Sequence, residues 1–157
     1  MNSLTVSSNA QPLKGCTNFK LHKLARLVGR RYDAQLAQVG LTTAQYALMN
    51  HVHYLGPMRP VDLSQAMGLT PSTLTRNVQP LIAQGWLYMQ AGADARSRQI
   101  GLTEQGLSKR AEAQKSWRKA QQDMNTLLGV EQAAQLHGLL DACTKALTES
   151  MADEPVL

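Results

Sequence analysis

Aromatic side chains are scarce: one Phe, two Trp and four Tyr make up 4% of the 157 residues. A chain so poor in rings is ill suited to single-stranded nucleic acid, whose binders stack successive bases on aromatic platforms. Cysteine is scarcer still. Cys16 and Cys143 lie far apart and form no CxxC pair, which speaks against a disulfide framework or a zinc cluster. Each reads as a small buried hydrophobe. No apolar run approaches the roughly 20 residues that span a bilayer. Met1 to Gln11 have neither the basic flank nor the apolar centre of a secretion signal. Residues 1–13 therefore read as a flexible N-terminal arm and the protein as cytoplasmic, without a membrane partner. A glycine-rich phosphate loop, a nucleophile elbow and an HExxH pattern are all missing. His51 and His53 are two apart, so on a helix they point to different faces. No catalytic residue, metal site or cofactor is expected, and an enzyme is not.

What the chain does have is 43% apolar residues, mostly Leu, Ala, Val and Met, and a net charge of +5. That is core enough for one domain with helical extensions, and a balance that suits a polyanion such as nucleic acid. Leu21, Leu24, Ala25, Val28, Tyr32, Leu36 and Val39 recur at helical spacing, predicting a helix from Cys16 to Val39 closed by Gly40. Thr42 or Thr43 caps a second helix that ends at Leu55, before Gly56-Pro57. Met58-Arg59-Pro60 is extended. A short helix to Met67 turns Leu63, Ala66 and Met67 inward and breaks at Gly68. Thr70 as N-cap and Pro71 at the first helical position start another, running to about Gln84. Trp86–Gln90 and Arg98–Leu102 read as strands of a hairpin around the loop Ala91–Ser97. Thr103 caps a long helix to Leu128, and a last helix spans Glu131 to Glu149.

Two short helices joined by Gly68-Leu69-Thr70 form a helix-turn-helix candidate. The second helix of such a motif lies in the major groove of DNA. On a wheel, Leu74, Val78, Leu81 and Ile82 share the core face, while Ser72, Thr73, Arg76 and Gln79 lie opposite, with Thr75 at the edge. Arg76 suits guanine or a phosphate, the hydroxyls of Ser72 and Thr73 sit at the positive end of the helix, and the Thr75 methyl suits thymine. A plain solvated face has the same composition. The hairpin adds Asp94-Ala95-Arg96-Ser97-Arg98, a loop tipped by arginine that fits a minor groove, with Asp94 placed to orient Arg96. Pro80 removes a backbone donor and crowds the Arg76 carbonyl. A kink there would tilt the N-terminal half of the helix.

Leu63-Ser64-Gln65-Ala66-Met67-Gly68-Leu69, Ser72-Thr73-Leu74-Thr75-Arg76, Leu81-Ile82-Ala83-Gln84-Gly85-Trp86-Leu87, Asp94 to Arg98 and Leu102-Thr103-Glu104-Gln105-Gly106 together resemble the MarR family of winged-helix regulators. Leu41 to Tyr46 is similar to the start of that family's second helix. The resemblance implies a mainly α fold with a small β-hairpin, in which a winged helix-turn-helix core is flanked by N- and C-terminal dimerisation helices. It implies a homodimeric transcriptional regulator, usually a repressor, on a pseudo-palindromic double-stranded DNA operator. A small aromatic acid or phenol, or an oxidant, releases many members. Ser72, Thr73, Thr75 and Arg76 would then belong to the recognition helix and Arg96 to the wing. Gln79 and Arg98 are further DNA contacts expected from the helix face and the loop.

The domain reading follows: residues 14–40 and 104–150 dimerise, 41–103 bind DNA, and 151–157 fray. The C-terminal stripe Leu127, Leu128, Ala133, Leu136, Leu139, Leu140, Ala146 and Leu147, with Leu21, Leu24 and Val28, either meets a second subunit or folds back on its own domain. Lys14, Lys20, Lys23, Arg26, Arg30 and Arg31 make the first helix basic, either as a solvated face or as an aid to DNA approach. Asn18 and His22 on the first helix, and Tyr46, Asn50 and His53 on the second, are candidates for an effector pocket suited to an aromatic carboxylate; ordinary core or surface roles are the alternative. Cys16, flanked by Lys14 and Lys20, offers a redox-sensing alternative, although the family's reactive cysteine falls two residues later, near Asn18. A helical protein-interaction module that does not bind DNA is the remaining alternative.

Overall fold

The computed structural model describes residues 14–94 and 97–152. The expected arm at 1–13, the wing residue Arg96 and the tail from 153 onward lie outside the described residues. Helix α1 (Thr17–Leu36) tightens into a 3₁₀ turn at Ala37–Val39, so the last turn of the expected helix is not α-helical. Gly40 ends it with φ 73°, a left-handed position that favours glycine. Helix α2 (Thr43–Leu55) opens with a full capping box. The Gln45 N–H donates to Thr42 Oγ1 at 3.2 Å, and the Thr42 N–H donates to Gln45 Oε1 at 3.0 Å. Asp33 near the end of α1 accepts from both the N–H (2.8 Å) and the hydroxyl (2.7 Å) of Thr43. The turn between α1 and α2 is thus pinned from both sides.

Helix α3 (Pro60–Met67) buries Leu63 and Ser64 rather than Ala66, which is exposed. On a two-turn helix the buried arc runs from Leu63 through Met67 to Ser64, leaving Ala66 outside it. Ser64 is tolerated there because its hydroxyl donates to the Val61 carbonyl at 2.8 Å. Helix α4 (Pro71–Ala83) follows, then the antiparallel strands β1 (Leu87–Ala91) and β2 (Arg98–Leu102), in register from Leu87 opposite Leu102 to Ala91 opposite Arg98. Trp86 does not join β1, because its N–H closes the turn after α4 on the Leu81 carbonyl at 2.9 Å. Met58 pairs with Ile100 through two backbone bonds of 3.1 and 2.8 Å, adding the extended piece before α3 to the sheet edge.

Helix α5 (Glu104–Leu128) begins at Thr103, whose Oγ1 accepts from the Gly106 N–H at 2.9 Å and donates to the Gly85 carbonyl at 2.6 Å. One hydroxyl therefore caps α5 and ties it to the turn after α4. Helix α6 (Val130–Ala152) follows Gly129 directly. Met151 and Ala152 are helical, so the tail expected to fray from 151 is ordered at least that far. The sequence holds no stop signal there before Pro155.

The core lies where α2, α3, α4, the hairpin and α5 converge. Leu36, Leu48, Met49, Leu63, Leu74, Leu81, Leu87 and Ile100 are fully enclosed, each contributing about 1.5–3 kcal/mol by leaving water. Helix α1 lies along α5, joined by the Tyr32 hydroxyl donating to Gln121 Oε1 at 2.7 Å. Helix α6 buries only Ala133. Both cysteines are exposed rather than buried: Cys16 is the N-cap of α1, and Cys143 lies on the uncovered α6. Among the described residues no helix is long and apolar enough to cross a membrane.

Candidate nucleic-acid interface

Helices α3 and α4 meet through Gly68, held at φ 63°, and through the Leu69 N–H donating to the Ser64 carbonyl at 2.8 Å. Thr70 caps α4: its Oγ1 accepts from the Thr73 N–H at 3.3 Å. It also lies 3.1 Å from the Ser72 hydroxyl and 2.9 Å from that of Thr73. Three hydroxyls therefore cluster around the positive end of one helix. Leu74, Val78 and Leu81 of α4 are buried and Ile82 half-buried, while Ser72, Thr75, Arg76 and Gln79 are exposed on the opposite side and Thr73 is half-buried. The Thr75 hydroxyl donates to the Pro71 carbonyl at 2.9 Å, which leaves its methyl as the group offered outward. Among the described residues Arg76 makes no hydrogen bond or ion pair.

Pro80 does not end the helix, which continues to Ala83. It falls in the last turn, beyond all the exposed residues named above.

The wing closes at its base through the Gly92 N–H on the Ser97 carbonyl (2.8 Å). The Asp94 carbonyl accepts from both the N–H (2.9 Å) and the hydroxyl (2.8 Å) of Ser97. Arg98 is not at the loop tip. It is the first residue of β2, and strand alternation puts it on the face of Ile100, toward α4. There it donates to the Met89 sulfur at 3.5 Å and lines, with Thr75, Gln79 and Ile82, a cleft of ≈ 480 Å³ between α4 and the hairpin. The structure thus brings the exposed ridge of α4 and Arg98 to one side of the molecule.

The five residues expected around an effector are dispersed. Asn18 and His22 are exposed on the first turns of α1, and among the described residues no hydrogen bond or ring contact joins them to α2. His53 is exposed, edge-on to Tyr54 at 4.9 Å. Only Tyr46 and Asn50 share a setting, the face of α2 packed on α5. Tyr46 is buried 6.3 Å from the Trp117 ring, and burial raises its phenol pKa against the opposing field of Arg110. Asn50 Oδ1 accepts from Arg110 Nε at 2.9 Å.

Arg110, Tyr54 and Trp117 are absent from the sequence-derived set, yet they complete this face. The available signal was the stripe Gly106, Arg110, Ala113, Trp117, Ala120 and Met124, which sets a cation in an otherwise apolar seam.

Cys16 is exposed at the start of α1, where the neighbouring Lys20 ammonium donates to the Lys14 carbonyl at 2.7 Å. Lys14, Lys20, Lys23, Arg26, Arg30 and Arg31 are all exposed, and among the described residues none forms an ion pair.

Two helices turned by a left-handed glycine, an antiparallel hairpin and a long helix after it define a winged helix-turn-helix. A family profile described as MarR family matches residues 39–97. YwoH of Bacillus subtilis (strain 168), an uncharacterized HTH-type transcriptional regulator, is 26% identical over 90 residues, 57% of this chain and 66% of YwoH. The chain thus spans just under two thirds of that relative. The M. tuberculosis transcriptional regulator MosR, solved in complex with DNA, is 30% identical, with a TM-score of 0.66 over 82% of this chain and 98% of MosR. A mutant E. coli MarR solved with operator DNA shares the fold, at 20% identity and a TM-score of 0.74 over 80% of this chain and 91% of that one. The chain belongs to the MarR family.

Proposed function

We propose that the protein is a ligand-responsive transcriptional repressor that binds a pseudo-palindromic operator in double-stranded DNA as a homodimer. The observation that carries this reading is the outer ridge of α4. Ser72, Thr75, Arg76 and Gln79 are exposed on a helix whose other face is anchored by Leu74, Val78 and Leu81. A rigid helix with an arginine that is unpaired among the described residues, and with short polar groups, suits the base edges of a major groove, where Arg pairs bidentately with guanine. Ser72 and Thr73 stand where hydroxyls and helix N–H groups meet phosphate. Arg98 beside the ridge suits the flanking backbone. The family resemblance assigns Arg96 to the minor groove, and Asp94, two residues before it, is placed by spacing to support it. MosR and the E. coli MarR mutant, each solved with DNA, support the reading by analogy.

The dimer rests on the two end helices. Residues 14–40 and 104–150 would form the dimerisation region and 41–103 the DNA-binding region. Leu139 (65% exposed), Leu147 (66%) and Met151 (74%) are uncovered on α6, and Phe19 (61%) on α1. Ala133 of the stripe is buried and Leu24, Val28, Leu128 and Leu136 half-buried, while much of the rest is exposed. A 23-residue helix with one buried residue lacks the packing that stabilises helices in water, and so large an apolar face marks an interface. A two-fold dimer would cover it and present two copies of α4 to successive turns of DNA. A small aromatic acid or phenol is the proposed releasing signal, acting near Tyr46 and Asn50, where the DNA-binding helices meet α5.

A mobility-shift assay with the promoter fragment next to the protein's own gene tests the function. The expected result is a specific shift that weakens steeply as salt rises, because phosphate contacts release counterions. Equal affinity for a scrambled duplex would contradict it.

A further inference from the structure

The positive balance of the chain sits on and just before one helix. Residues 14–36 hold six cations and one acid, a net of +5, while the other ten Lys and Arg are matched by ten Asp and Glu. Lys20, Lys23, Arg26, Arg30 and Arg31 fall within an arc of about 140° on α1, taken at 100° per residue. All five are exposed, and among the described residues none forms an ion pair. The one acid, Asp33, stands outside that arc, and its carboxylate is taken up by the N–H and hydroxyl of Thr43. The opposite face of α1 carries the half-buried Leu24, Val28 and Tyr32 along α5. That face is therefore not free to enter a bilayer, as an interfacial helix requires. The DNA-binding half is poorer in cations. Residues 41–103 hold Arg59, Arg76, Arg96 and Arg98 against Asp62 and Asp94, and Arg59 is bound to Asp62 at 2.7 and 2.9 Å.

We infer that the outer face of α1 is a second nucleic-acid site, which holds the phosphate backbone of a duplex other than the operator. From Lys20 to Arg31 the cations extend for about 16 Å along the helix axis. Such a row of ammonium charges and guanidinium forks suits repeating phosphates and carries no sequence information. With Phe19 as the one ring on this face, it lacks the stacking platforms that single strands need. The two sites are separate. Gln38, Val39 and Gly40, just past α1, border Pro80 and Gln84 in the last turn of α4 across a cleft of ≈ 470 Å³. Arg76 lies about 12 Å back along α4 from Gln84, toward the end where Ser72 and Thr73 stand. A duplex read by that end does not run along α1. A second copy seated on Phe19 takes the first turn of α1, whereas Arg26, Arg30 and Arg31 stand about 10–18 Å further along. The protein thus joins two DNA segments, one on α4 and one on α1; the operator segment rests on the function proposed above, and the α1 site does not.

The test is sedimentation of the full chain, saturated with unlabelled operator duplex, in the presence of a fluorescein-labelled duplex of scrambled sequence at low salt. The labelled duplex is expected to travel with the operator complex. Arg26→Gln, Arg30→Gln and Arg31→Gln combined should weaken its capture at least about tenfold and lower the slope of log affinity against log salt by about 2–3. Operator affinity and the dimer should be unchanged in that variant. Arg76→Ala should lose the operator and keep the labelled duplex. No second duplex on the operator-loaded protein, or undiminished capture by the triple variant, overturns the proposal. So does a triple variant that becomes monomeric, which would assign these cations to the subunit contact, and so does equal capture of labelled polyglutamate in place of the duplex. Duplex capture that needs Arg26, Arg30 and Arg31, without specific operator binding, leaves the α1 site standing and removes the regulator reading. Specific operator binding without a second duplex does the reverse.

Discussion

A methyl group on Gly106 would lie 1.9 Å from the carbonyl oxygen of Trp86. The glycine of Leu102-Thr103-Glu104-Gln105-Gly106 is therefore there for space, so that α5 can pack on the end of the α4 turn, while Thr103 caps the helix with the Gly106 N–H. Gly106→Ala is expected to destabilise the fold by about 1–3 kcal/mol through overpacking, read as a lower midpoint in urea unfolding. Arg76 presents the opposite case. It is exposed and bonds to nothing among the described residues, so Arg76→Ala should leave stability unchanged. Its operator affinity should fall by roughly tenfold or more, the worth of one bidentate base contact of about 1–3 kcal/mol. Fluorescence anisotropy on an operator duplex measures it, and an affinity equal to wild type would place the reading surface elsewhere. Arg76 was legible because a helical wheel separates a core face from an outer one. Arg110 was not, because a lone cation in an apolar stripe reads as a helix surface until Asn50 and Tyr54 are brought to it from 60 and 56 residues away.

Helix ends were the most legible elements, since each carries its own signal. Thr42, Thr70 and Thr103 cap as expected, and Gly40 and Gly68 adopt the left-handed conformation at the ends they close. What local pattern could not supply was which side of an element the rest of the chain covers. Ala66 and the cysteines were misplaced for that reason. Arg98 reads both as the first residue of the second strand and as part of the arginine-bearing loop, and its pairing with Ala91 decides for the strand. Pro80 reads as a source of a kink, and it stands in the last turn of a helix that continues to Ala83. Replacing it restores a donor to the Arg76 carbonyl, so Pro80→Ala is expected to raise stability by up to about 3 kcal/mol. Calorimetry or urea unfolding checks the gain, and operator affinity should be unchanged.

At the scale of the whole molecule, the proposed dimer would cover the apolar faces of α1 and α6 with a second copy of the chain. Leu139→Asp combined with Leu147→Asp should yield a monomer in sedimentation equilibrium, with the helix-turn-helix still folded and operator binding strongly reduced. A dimer that persists would move the interface elsewhere. The DNA-binding account joins that dimer to the α4 ridge, and both are tested together by a hydroxyl-radical footprint on the promoter fragment. The account predicts two symmetric protected half-sites about 10 base pairs apart, one helical turn, with protection of the flanking minor grooves by the wings. A single unsymmetric patch, or no protection at all, would contradict it.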